Sequence, residues 1–250
     1  MSIRSTTPIG LPSEGERDDA HGRAIARIRV LRINTRDLTA PRMRLKHLFL
    51  YMSLLFAVVA KATPDKGAQL TRSLGKPMVV DEIKQAKLGN KWQGVKGEWK
   101  SVDGAIVGRE LKADKHAAVL NFREPNHNSA IQFSFKLDGA KGFNLSFNKK
   151  RGHLFRVIVT ADGVAVNLDK DKQDPKSKPK RLANTKGRFA QGKWYSMLVT
   201  VEGENVSVLT DNGVKLTAKH AAIDQAKPNY RFVMRGGDLL LDDLKIWKLK

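Results

Sequence analysis

From Met78 onward the chain is a succession of short runs in which apolar and polar residues alternate. Ile131, Phe133, Phe135 and Leu137 fall on one side, with Gln132, Ser134 and Lys136 between them. Phe143, Leu145 and Phe147 repeat the arrangement. Leu239, Leu241, Leu244 and Ile246 do so with a slip at Asp242-Asp243, which predicts a bulge. Two-residue alternation with one polar side predicts strands in a sheet that is covered on one face. The turn signals divide these runs. Asp103-Gly104 separates 98–102 from 105–111, and Asp162-Gly163 separates 154–160 from 164–168. Gly203-Glu204 separates 194–201 from 205–210, and Asn212-Gly213 separates that run from 214–218. Asp-Gly and Asn-Gly tolerate positive φ, so between alternating runs they predict tight hairpins. About ten strands at short spacing, without a long amphipathic helix, predict an all-β fold, a two-sheet antiparallel β-sandwich. Residues 81–88 read as a short helix or a strand lead-in. Residues 169–187, DKDKQDPKSKPKRLANTKG, read as one long polar loop, either a solvated excursion or a basic arm over a binding face.

Upstream the pattern changes. Residues 43–62, MRLKHLFLYMSLLFAVVAKA, open with Arg44 and Lys46, continue through an apolar run over 48–60, and close on Ala60-Lys61-Ala62. A basic head, an apolar core and a small-x-small end predict a signal peptide cleaved after Ala62. The core is shorter than the roughly 20 residues a membrane span needs. Residues 1–42 are Arg-rich with no clear apolar period, and read as an unstructured upstream extension ahead of Met43. The expected organisation is therefore an extension (1–42), a signal (43–62), a polar leader (63–77) and a β-sandwich domain (78–250). The mature protein is expected to be exported, to the periplasm or beyond, without a membrane span.

Composition narrows the chemistry. The chain has 46 Lys and Arg against 25 Asp and Glu, a formal net charge of +21. Much of the excess lies after residue 62 as scattered lysines, which solvate a surface and keep exposed strand edges from pairing. The same charge offers attraction to an anionic partner. No helix-turn-helix, zinc or RNA-binding motif accompanies it, so nucleic acid is not expected. There is no cysteine, which excludes a disulfide scaffold, a thiol nucleophile and a thiolate-ligated metal.

Four segments carry a family resemblance. They are Gly97-Glu98-Trp99-Lys100-Ser101-Val102-Asp103-Gly104, Gly152-His153-Leu154-Phe155-Arg156-Val157, Gly192-Lys193-Trp194-Tyr195 and Leu241-Asp242-Asp243-Leu244-Lys245-Ile246-Trp247. Together they resemble the 3-keto-disaccharide hydrolase family, whose domains are concanavalin A-like (laminin G-like) jelly rolls. The third segment resembles the family's G-x-W-Y strand start and the last its closing strand. Many members carry Asn-Ser-Gly-Ile after a long β run. Here Asn128-Ser129-Ala130-Ile131 stands at a strand start instead. The resemblance implies a jelly roll directed at carbohydrate and assigns no catalyst.

The residues give candidates for binding rather than a catalytic motif. Glycoside hydrolysis needs two carboxyls facing each other across a sugar. The E-x-D-x-x-E of family 16 jelly-roll glucanases is absent, and the pairs Asp169/Asp171 and Glu202/Glu204 read as solvated or lysine-paired. Trp92, in the polar setting Asn90-Lys91-Trp92-Gln93-Gly94, is the expected stacking platform for a sugar ring. His153 and Tyr195 are the further expected ligand contacts, while Trp99, Trp194 and Trp247 read as core. Asp242 and Asp243 are the expected ligands of a structural calcium, a cation that takes oxygen donors; the alternative is a bulge with solvated carboxylates. Three functions remain open: an exported glycan-binding domain, a glycoside hydrolase acting on 3-keto-disaccharides, and an envelope protein adhering to anionic polysaccharide.

Overall fold

The computed structural model describes residues 70–71, 73–83 and 87–250. The upstream extension, the signal segment, the first part of the leader and part of the 81–88 segment lie outside the described residues. Among the described residues no helix is long and apolar enough to cross a membrane.

Thirteen strands follow in order: β1 (Val79–Asp81), β2 (Trp92–Lys96), β3 (Glu98–Val102), β4 (Ala105–Arg109), β5 (Ala118–Phe122), β6 (Ser129–Asn148), β7 (His153–Thr160), β8 (Gly163–Leu168), β9 (Lys180–Lys186), β10 (Trp194–Glu202), β11 (Asn205–Thr210), β12 (Lys215–Lys219) and β13 (Tyr230–Lys248). Every pairing between them is antiparallel. The predicted hairpins form at all four turn dipeptides. The basic segment 169–187 is not wholly a loop, because its last third is β9, paired along β8.

The two long strands organise the rest. The first half of β6 pairs with β10, and its second half, from Gly142, pairs with β7. β13 runs beside β6 throughout. Its first half takes β5 as its other neighbour, and its second half takes β4 and β1. The register slips at Gly236 and Asp238, opposite Gly139 and Ala140. Here the backbones close up: a Cβ on Gly237 would meet the Cα and carbonyl carbon of Gly139 at 2.8 Å. At this crease the hydrogen-bonded array folds into two leaves. The first leaf runs β12-β11-β10-β6-β13-β4-β3, and the second runs β9-β8-β7-β6-β13-β5-β2.

The core lies between the leaves. Phe133 and Phe135 of the first meet Phe143 and Phe232 of the second edge-on, with centroids 4.9–6.0 Å apart. Phe147 stacks on Phe155 at 4.5 Å. The bulge at Asp242-Asp243, where Asp243 takes a φ of 50°, lets Leu241 and Leu244 both point inward although they are three residues apart. The outer side of the first leaf has its own apolar patch. Ala130, Leu198 and Trp247 are covered by Leu70, Leu74, Leu209 and Leu249, and the Trp247 indole donates to the Gly75 carbonyl at 3.0 Å. The described end of the leader therefore packs on the sandwich.

Candidate functional site

The outer side of the second leaf is different in kind. Tyr230, Phe232, Leu145, Phe147, Phe155, Val157, Leu120 and Val166 turn into the core, so the residues between them turn out. Register then aligns Gln93, Asn121, Arg231, Ser146, Arg156, Asn167 and Arg181 as one row crossing seven strands, β2 to β9. All seven are polar. Beside this row Asn229, Asn148 and His153 form a shorter one. Asn148 Nδ2 donates to Asn229 Oδ1 at 3.1 Å, and Asn148 Oδ1 accepts from His153 Nδ1 at 2.8 Å.

These side chains are crowded. Asn121, Ser146 and Asn148 are only 9%, 4% and 8% exposed. Several polar atoms in the row have no partner among the described residues: Asn121 Oδ1, Asn167 Oδ1 and Arg231 Nε are all buried and unpaired. A buried polar atom without a hydrogen bond costs about 1–3 kcal/mol, so three along one row mark this face as energetically costly in the unliganded protein. Other side chains on and around the face are paired. Arg156 makes a two-pronged contact with Asp169, Lys149 holds Asp171 at 2.6 Å, and Arg123 donates to Gln93 Oε1 at 3.0 Å.

Electrostatics follow from this crowding. Burial holds the Arg231 guanidinium below its ordinary pKa. Burial also lowers His153; Asp169 opposes the shift, while Arg231, Arg156 and Lys172 add to it. His153 is thus biased toward its neutral form, with Nδ1–H given to Asn148. That leaves Nε2 as a lone-pair acceptor for a donor on the ligand.

The residues singled out from sequence fare unequally. His153 stands on this polar face. Trp92 does not offer a platform: it is 7% exposed, packs edge-on to Phe122 at 4.7 Å, and donates its indole N–H to Asp81 at 2.7 Å. Its register opposite Phe122 turns the ring inward, which the polar neighbours in sequence conceal. Tyr195 is also inward, 5% exposed, packed against Phe135 and Phe189, with its hydroxyl accepting from the Ala190 amide at 2.9 Å. Both rings are largely enclosed. Trp194, expected in the core, is 40% exposed with Lys136 over its ring at 5.7 Å.

Asp242 and Asp243 lie together on the first leaf. Asp243 is held by Lys245 at 2.9 Å and by Gln132 at 3.2 Å, while Asp242 accepts the Asp243 amide at 2.6 Å. Burial, with the charges of Asp243, Asp81 and Glu82, raises the Asp242 carboxyl above its usual range. Among the described residues no group of three or more His, Cys, Asp or Glu gathers in a metal-binding arrangement.

Sequence reasoning missed Arg231, Asn121, Ser146 and Asn167. Each occupies a polar phase of an alternating run, the only signal it leaves. Their convergence depends on register between strands that are far apart in the chain.

This architecture is that of the concanavalin A-like jelly-roll sandwiches. The chain superposes on the carbohydrate binding module CBM66 from Bacillus subtilis with a TM-score of 0.53, at 13% identity, over 65% of this chain and 99% of that one. It superposes on porphyranase B from Zobellia galactanivorans with a TM-score of 0.52, at 11% identity, over 69% and 92% of the two chains. SCLam, a non-specific endo-beta-1,3(4)-glucanase from family GH16, gives 0.52 at 10% identity over 70% and 91%. At these identities the likeness is one of fold. No protein-family model matches the sequence, and no match is found among curated proteins.

Proposed function

We propose that this protein is an exported glycan-binding domain and that the outward polar face of its second leaf is the binding surface. The observation that carries the reading is the row from Gln93 to Arg181, with Asn121 Oδ1, Asn167 Oδ1 and Arg231 Nε buried and unpaired. Sugars present many hydroxyls that both donate and accept. Ligand hydroxyls would donate to His153 Nε2 and accept from the guanidinium, and would meet the two amide oxygens once the Asn121 and Asn167 side chains turn outward. The folds of a carbohydrate binding module and of glucanases support the same reading. The resemblance to 3-keto-disaccharide hydrolases is the finer possibility within it. The face favours binding over cleavage, because Asp169 and Asp171 at its edge are held by Arg156 and Lys149 and do not oppose each other as a free pair.

The test is a glycan array probed with the purified protein and with the double variant Asn121→Leu/Asn167→Leu. The wild type is expected to retain a glycan without releasing product. The variant should lose binding while melting no lower, since it removes two unpaired buried acceptors. Retention unchanged in the variant would exclude this face. Release of reducing ends or keto-sugar by the wild type would turn the reading to the hydrolase.

A further inference from the structure

The arginines on the two leaves are treated unequally. Arg109 is exposed and bonded through two nitrogens to Asp238, at 2.5 and 2.6 Å. Arg235, also exposed, is paired with Glu110 at 3.2 Å. Arg156 has Asp169. Arg231 is half-buried, on the central strand β13, between Asn121 of β5 and Ser146 of β6. Its side chain makes no ion pair or hydrogen bond with any described residue, and its Nε is fully enclosed. Arg109, Arg156 and Arg235 thus each have a carboxylate, while half-buried Arg231, with its Nε enclosed, has no anion among the described residues.

A guanidinium is a planar fork of donors that matches the two oxygens of a carboxylate or a sulfate ester. Taken out of water without a counter-ion, it is a site waiting for one. Resting on the glycan-binding reading, we infer that the glycan is acidic and that Arg231 holds one of its acid groups, with Asn121 and Ser146 flanking the contact. Arg181, which has no partner among the described residues, ends the same row four strands away. At the usual strand spacing of about 4.8 Å that is about 19 Å, so an extended ligand lying across the strands meets a second cation there.

The overall charge of the chain offers a rival explanation, diffuse attraction of any polyanion, and the test separates the two. Binding of polygalacturonate, dextran sulfate and a neutral β-1,3-glucan is measured for the wild type, Arg231→Gln, Arg231→Lys and Lys215→Ser. Lys215 belongs to a separate open basic pocket of about 650 Å³, lined also by Lys186, Arg188 and Lys193.

The expected result is retention of one acidic polymer, which identifies carboxylate or sulfate as the group read. Arg231→Gln should weaken it about ten- to hundredfold, the range for hydrogen bonds to a charged group. Arg231→Lys should lose most of that as well, because it keeps the charge but not the fork, and Lys215→Ser should have little effect. Should Arg231→Gln fail to fold, the Arg231→Lys arm decides alone. Equal losses in Arg231→Gln and Lys215→Ser would overturn the inference in favour of diffuse attraction. Binding of the neutral glucan alone, unaffected by Arg231→Gln but lost in Asn121→Leu/Asn167→Leu, would overturn it while leaving the glycan-binding reading intact. Failure of the folded protein to bind any of the three would sink both.

Discussion

The crease between the leaves makes a quantitative prediction. Gly237 lies where β13 passes closest to β6. A methyl group there would sit 2.8 Å from two backbone atoms of Gly139 and 3.0 Å from a third. Gly237 is not in the left-handed region of backbone space, so Gly237→Ala adds steric contact without added backbone strain. Flexible side chains could swing away, but the neighbours here are backbone, and relief requires the two long strands to part. Overpacking of this kind costs about 1–3 kcal/mol, and a backbone neighbour places it near the top, about 2–3 kcal/mol. For a domain of this size that is a fall in melting temperature of about 4–12 °C. Gly213 is the matched control. Its φ is +88°, yet nothing lies within 4 Å of its would-be Cβ, so Gly213→Ala isolates the backbone cost of about 1–2 kcal/mol. Thermal unfolding followed by circular dichroism at fixed pH reads both. A Gly237→Ala melt within about 0.5 kcal/mol of wild type would refute the claim that close backbone approach shapes the crease.

Two pH predictions follow from buried groups. His153 has a folded-state pKa below its ordinary 6.5, chiefly through burial. The unfolded chain then binds the extra proton first, so stability falls as pH drops below about 6.5 and the loss is complete below the folded pKa. His153→Gln should flatten that part of the stability profile between pH 7 and 5, measured by urea unfolding, and an unchanged slope would count against it. Asp242 is shifted upward by burial and by neighbouring acids, so its ionised form costs stability at neutral pH. Asp242→Asn in EDTA should melt higher than wild type at pH 7, with the gain fading as pH falls toward 3.8; a lower melt would sink the argument. A rise in the wild-type melt on adding calcium, absent in Asp242→Asn, is the accompanying test of a cation at Asp242 and Asp243.

Strand content was legible in the chain because alternation is a local signal. Ile131 to Leu137 and Phe143 to Phe147 each announce a strand, and Asp242-Asp243 announces its bulge. That these two runs are one strand creased at Gly139 to Gly142 was not legible, since Gly139-Ala140-Lys141-Gly142 reads equally as a turn. The binding face was hidden for a different reason. Arg156 and Arg231 look like any outward residue until register sets them two strands apart in one row. Trp92 misled because burial of a ring depends on its partner across the sheet, Phe122, rather than on its polar neighbours in sequence. Trp194 misled in the opposite direction, since its framework motif says nothing about which side of β10 it occupies.

β13 is the last of the thirteen strands in chain order, and it occupies the middle of both leaves. Until it arrives, β4, β5 and most of β6 each present an edge of unpaired amides with no neighbour to accept them. Neither leaf can close before β13 is available to pair. Synthesis order and architecture together make assembly a late event, governed by contacts between segments distant in the chain and therefore slow.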